Sequence, residues 1–240
     1  MRLGEALSPA ARRAVAEAWS FRVGVEAAAT VQFERLAAGL LAVSAPDRLV
    51  EAAQSASREE QVHGTLCAEL AEAYGAPPVA ALPEPPLLAP ANLVGLEALA
   101  YAMVAHCCVA ETESVSTLSE LIKEAQSPLV RRTLVAIARD EVGHAQLGWA
   151  FVAWAARVGP LSFLAPLLPR MVTPGAAPLF EPALAAEEDP LLIEHGVLPL
   201  PKRREVFCAA LQEVVLPGLA RAGVDGRPAR AWLAGQRQRL

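Results

Sequence analysis

Glu60-Gln61-Val62-His63 and Glu141-Val142-Gly143-His144 are the two stretches on which the reading of this 240-residue chain turns. Each sets a glutamate and a histidine three residues apart, which on an α-helix aims both side chains the same way. One such pair arises by chance in many proteins. Here both sit inside long Ala-rich segments with apolar residues at three- and four-residue spacing, and no period-2 run interrupts those segments over the first two thirds of the chain.

Working outward, the punctuation predicts four helices. The first opens at Ser8-Pro9, with Ser as cap and Pro in the first turn, and runs to about Val43. Ser44-Ala45-Pro46-Asp47 turns the chain into a second helix, which ends near Tyr74 ahead of Gly75. A third spans about Asn92 to Ala125. Ser127-Pro128 opens a fourth, which ends at Val158 before Gly159-Pro160. Each is about 27–35 residues long, roughly 40–50 Å at 1.5 Å per residue. The joins within each pair are short, whereas the join from Gly75 to Ala91 holds six prolines and is long enough to run the length of a bundle. Two antiparallel hairpins with a long crossover between helices 2 and 3 predict an all-α four-helix bundle over residues 8–159, of ferritin-like connectivity. Residues 160–240 read as a Pro-rich cover, with nine of the twenty prolines between Pro160 and Pro201, followed by an additional C-terminal helix near Lys202–Leu216 packed on the bundle.

Composition sets the outer limits. With 54% hydrophobic residues and mean hydropathy +0.32 the chain builds a sizeable core and is not disordered. Its charge-free stretches fall short of a membrane span. The start, Met1-Arg2-Leu3-Gly4-Glu5, shows no signal-peptide pattern. A net charge of −5 with scattered basic residues argues against nucleic acid. Cysteines 67, 107, 108 and 208 form no C-x-x-C pair, which excludes zinc ribbons and thioredoxin motifs. The expectation is a cytoplasmic, reduced protein.

The two motifs need further carboxylates at the same height, and counting from the turns supplies them. Glu111 lies 16 residues before Ser127, while Glu141 and His144 lie 14 and 17 after it. Glu26 lies 19 residues before Ala45, while Glu60 and His63 lie 15 and 18 after; Glu34, only 11 before, is off level. Glu113 is level too. On α-helical steps, however, Glu111 shares its face with Val104, Cys107, Cys108, Val115 and Leu118, whereas Glu113 shares one with His106, Thr117 and Glu120. Glu111 is therefore expected inward, Glu113 mostly outward, and His106 on the outer face near Glu113. Glu26, Glu60, His63, Glu111, Glu141 and His144 form the expected site. Four carboxylates inside an apolar bundle repel one another and are costly to desolvate; two divalent cations neutralise them, and oxygen with imidazole donors suits iron or manganese.

This pattern resembles the ferritin-like di-iron carboxylate superfamily over about residues 12–158. More narrowly, Val25-Glu26 with Phe33, Glu59-Glu60-Gln61-Val62-His63, Cys108-Val109-Ala110-Glu111-Thr112 and Asp140-Glu141-Val142-Gly143-His144 resemble small bacterial ferritin-like domain proteins. The resemblance implies two iron ions (manganese or a mixed Mn/Fe pair being the alternative) that react with dioxygen or peroxide. It implies Glu60 and Glu141 as bridges, with Glu26 and Glu111 terminal. It also implies that Asp140 orients His63 and Glu59 orients His144, since a metal-bound His gives its other N–H to an acid. A tyrosyl-radical member is not expected, because Cys67 stands where the tyrosine one turn past the first motif would be. What remains is an oxidase or oxygenase acting on a small organic substrate with an external electron donor; the alternative is a ferroxidase or metal-handling protein without an organic substrate. A homodimer is compatible with either. Cys67, Cys107, Cys108 and the aromatic residues Trp19, Phe33, Trp149, Phe151 and Trp154 read as core packing, and His195 as structural.

Overall fold

A computed structural model describes residues 4, 7–80, 83–176, 179 and 190–238. The expectation about the chain's first residues, Gly4 aside, and much of the Pro-rich cover between 177 and 189 lie outside the described residues.

Every regular element among the described residues is helical. Helix α1 is Pro9–Ala42, opened by Ser8, whose Oγ accepts from the Ala11 N–H at 3.1 Å. Helix α2 is Asp47–Tyr74, closed by Gly75 at φ +97°, a left-handed conformation that costs a residue without Cβ little. The third long helix, α3, comprises Gly95–Met103, a π-helical stretch Val104–Ala110 and Glu111–Glu124. It starts later than the sequence suggests, and the π segment leaves no trace in the apolar spacing. Helix α4 is Pro128–Val158.

Helix α1 packs along α2, α3 along α4, α2 against α4, and α1 against the start of α3. The connection between α2 and α3 runs beside α1: Gln32 Nε2 donates to Pro86 O at 3.0 Å, and Arg35 Nη1 to Pro85 O at 2.7 Å.

The C-terminal third is more helical than its prolines suggest. A 3₁₀ turn at Ser162–Leu167 runs into α5, Leu168–Ala176, which contains Pro174. A second 3₁₀ turn spans Pro190–His195. The expected Lys202–Leu216 helix is one continuous rod, α6, built from Leu200–Ala209, the π-helical Ala210–Val215 and Leu216–Arg221. A further helix not anticipated from the sequence, α7, is Arg227–Arg237.

The buried apolar side chains form two clusters. One gathers Phe33, Ala53, Cys107, Cys108, Leu147 and Phe151 with Leu164, Leu216 and Leu233 from the C-terminal third. The other gathers Val15, Trp19, Cys67, Leu118, Leu134 and Ile137 with Leu192, Leu198 and Val206. The C-terminal segments thus contribute to both, and none of the expected site residues belongs to either.

Candidate metal centre

Between the two apolar clusters lies a polar layer. Glu26 of α1, Glu60 and His63 of α2, Glu111 of α3, and Glu141 and His144 of α4 are all 7% exposed or less. Glu34, the off-level alternative, is exposed.

Two overlapping groups of donors emerge. Glu26, Glu60, His63 and Glu141 each bring one ligand atom within 4.8 Å of the others', and so do Glu60, Glu111, Glu141 and His144. Glu60 and Glu141 belong to both. The three-residue spacing of each motif lets this happen, because it keeps carboxylate and imidazole on the same side of the helix.

Both imidazoles turn the same edge inward. His63 Nδ1 lies 3.3 Å from Glu60 Oε2, and His144 Nδ1 lies 3.0 Å from Glu60 Oε1 and 3.3 Å from Glu141 Oε2. Their other nitrogens reach acids on the facing helix: His63 Nε2 is 3.3 Å from Asp140 Oδ2, and His144 Nε2 is 2.9 Å from Glu59 Oε2. An imidazole whose Nε2–H is held by an acid keeps Nδ1 as its metal-binding atom. Asp140 and Glu59 remain partly exposed, so the acids holding these protons are reached by water while the inner donors are not.

Without a cation the layer is electrostatically awkward, and protons take up the strain. Burial, the adjoining Glu60 carboxyl and the Glu141 charge push Glu26 well above the usual carboxylate range. Burial and the Glu141 charge do the same to Glu111. Burial also opposes ionisation of Glu60, but the adjoining His144 and His63 imidazoles outweigh it and hold that carboxyl below its ordinary range. Burial disfavours a charged His144, yet its contacts with Glu141 and Glu60 prevail and its pKa is pushed up to about 10. Even so, Glu60 Oε1 keeps no aligned hydrogen bond. A buried carboxylate oxygen without an aligned donor, among three other carboxyls and two inward-facing Nδ1 atoms, fits a cation.

Three residues behave differently from the sequence expectation or escaped it. His106 does not face outward. The Glu111 N–H donates to the His106 carbonyl, a π-type bond five residues back, and this adds one residue to the turn. The added residue rotates His106 onto the Glu111 face: its Nε2 lies 3.3 Å from Glu111 Oε1, and its ring stacks 4.7 Å from Phe33. Glu113 is only half-exposed. Helix α6 packs over this side of α3, Thr117 Oγ1 donates to Glu113 Oε1 at 2.9 Å, and burial raises the Glu113 pKa. Arg22, one turn before Glu26, lies with its guanidinium carbon 4.3 Å over the Trp19 ring, and its Nη1 is buried without a hydrogen bond. Its place four residues from Glu26 on one helix face was the available signal.

The remaining candidates take structural places. Cys67 Sγ is 3.9 Å from Glu26 Oε1, and burial keeps it a thiol. Cys107 and Cys108 pack against Gly148, where an added Cβ would come within 2.7 Å of Cys107 Cβ. His195 anchors the C-terminal segment, its Nδ1 2.7 Å from the Tyr74 hydroxyl and its carbonyl accepting from Trp19 Nε1 at 3.0 Å. Among the described residues no helix is long and apolar enough to cross a membrane. Comparison of the chain with protein-family models, with curated proteins and with solved structures yields no match, so the functional reading rests on the geometry of this layer.

Proposed function

We propose that this chain is a ferritin-like protein that holds two metal ions, iron or manganese, and oxidises a small organic substrate at the expense of dioxygen or peroxide. The observation that carries the reading is the pair of donor groups sharing Glu60 and Glu141 in a layer closed off from water. In it Glu26 and His63 would serve one ion, Glu111 and His144 the other, with Glu60 and Glu141 between them. Four carboxylates match the charge of two divalent ions. The bound ions would supply the redox chemistry with the oxidant, recharged by an external electron donor.

The chain's own contribution is positioning and exclusion of water. Asp140 and Glu59 hold the Nε2 protons of His63 and His144, which leaves Nδ1 of each ring as the donor atom. Phe33 stacks 4.9 Å from His144, and the flanking Cys67, Cys107, Cys108 and Ile137 are fully or almost fully buried. These side chains make the immediate surroundings of the ligands apolar, which favours an organic substrate over hydrated iron as cargo. The four buried free thiols suit a reducing, cytoplasmic setting.

The test is anaerobic loading with ferrous iron, followed by exposure to oxygen under an absorption spectrometer. Two irons per chain and a new absorption band after oxygen are the expected result. Stoichiometry well below two, or an unchanged spectrum, would overturn the reading. Rapid conversion of excess ferrous iron to a ferric core would replace the substrate oxidase with a ferroxidase.

A further inference from the structure

The three imidazoles near the carboxylate layer are not equivalent. His63 and His144 each have an acid on the outer nitrogen, but His106 Nε2 is buried and has no aligned hydrogen bond. It faces a single acid, Glu111, whose Oε1 lies 3.3 Å away. His106 also stands outside both four-donor groups. Its ring packs against Phe33, whose centroid lies 4.7 Å from that of His106 and 4.9 Å from that of His144. The chain reaches this arrangement only by carrying a π-helical stretch, Val104–Ala110, that ends at Glu111 itself. Such π-helical stretches are rare and are frequently found at functional sites.

From this we infer that His106 is a positioning residue for Glu111: its Nε2–H holds the Oε1 atom and leaves the other carboxylate oxygen for the metal. The inference rests on the two-metal reading above and adds a residue outside its six donors. A buried N–H without a partner is costly. A small rotation of the Glu111 carboxylate relieves that cost, so holding Glu111 in one orientation is favoured even before metal arrives. The role matches the one Asp140 and Glu59 play for the histidines, with donor and acceptor exchanged. Helix α3 has no Glu-x-x-His, so its glutamate takes its support from a π-turn.

The experiment is a cobalt(II) titration of the full chain, read by d–d absorption and by metal stoichiometry, with thermal melting of the metal-free form alongside. His106→Phe removes the donor and keeps an aromatic ring; His106→Leu repeats the donor-free test with a smaller side chain; His106→Gln restores an N–H. Both donor-free variants are expected to weaken one of the two cobalt sites by roughly 10–100-fold, the usual effect of losing an outer partner of a ligand. The other site should stay near wild type, and His106→Gln should recover most of the loss. Unchanged binding in the donor-free variants overturns the inference. So does an equal weakening of both sites together with a lower metal-free melting temperature, which marks plain packing. A stronger d–d band in His106→Gln, signalling a lost ligand, would make His106 a donor itself and equally refute the positioning role. Failure of the wild-type chain to bind cobalt would sink the two-metal reading instead, whatever the variants do.

Discussion

Glu60 governs the charge of the metal-free layer, because both histidines of the site lean on its carboxylate. The pKa of His144 is raised from 6.5 to about 10 by Glu141 and Glu60, so the stability it contributes is complete below pH 6.5 and is lost as pH rises through about 10. Glu26 and Glu111, whose pKa values burial raises, act in the same direction: ionising them as pH rises sets unpaired charge in the core. The metal-free protein should therefore melt at a lower temperature at about pH 9 than at about pH 6, and metal should flatten that slope. Glu60→Gln should bring the His144 titration back toward its ordinary value, as followed by NMR of the ring protons. An unshifted titration would show that Glu141 alone holds the imidazolium.

At the scale of elements, the π segment of α3 and the small residue opposite it depend on each other. A Cβ at Gly148 of α4 would meet Cys107 Cβ at 2.7 Å, Cys108 Sγ at 2.9 Å and the Cys107 carbonyl carbon at 3.0 Å. Gly148→Ala should thus cost about 1–3 kcal/mol in denaturant unfolding, the usual penalty for forcing a packed core apart. Because the residues it displaces lie just ahead of Glu111, metal affinity should fall as well. Gly143, on the same helix, has nothing within 4 Å of an added Cβ and is exposed. Gly143→Ala should stabilise the fold by up to about 1 kcal/mol through helix propensity alone. Equal effects at the two positions would refute the contact argument.

For the whole molecule, the polar layer and the C-terminal segments set the terms. The layer divides the apolar interior in two, and metal that binds only the folded chain stabilises it by mass action. Chelated and metal-loaded samples should therefore differ in melting temperature by several degrees, and identical melting would count against a cation in the layer. The C-terminal segment is pinned by Tyr74, whose hydroxyl meets His195 Nδ1 at 2.7 Å, and by Gly196 at φ +87°, where a Cβ would meet Trp19 at 2.6 Å. Tyr74→Phe should cost about 1 kcal/mol. Proteolysis near residue 195 should speed up while the long helices resist cleavage; an unchanged digestion pattern would show that the anchor lies elsewhere.

Much of this was legible in the chain. Helix ends followed from local chemistry: the Ser8 cap, the left-handed Gly75 and the break at Gly159-Pro160 act within a few residues, and a sequence displays such signals directly. The six donors could be chosen by counting from the turns, since helical rise is fixed and hairpin partners keep their level. That Asp140 reaches His63 and Glu59 reaches His144 followed only from the resemblance noted in the sequence, not from spacing. The helix near Lys202–Leu216 was legible too, but the place of His106, the cover over Glu113 and the helices Leu168–Ala176 and Arg227–Arg237 were not. His106 was misread because α-helical stepping assumes 3.6 residues per turn and the π-turn breaks that assumption without a compositional mark. Glu113 stays half-exposed and outside the donor groups, and its partial cover was not legible because it comes from α6, some ninety residues later in the chain. Spacing along one helix is a local property and is written in the chain; which surface finally covers that helix is decided by packing between distant segments.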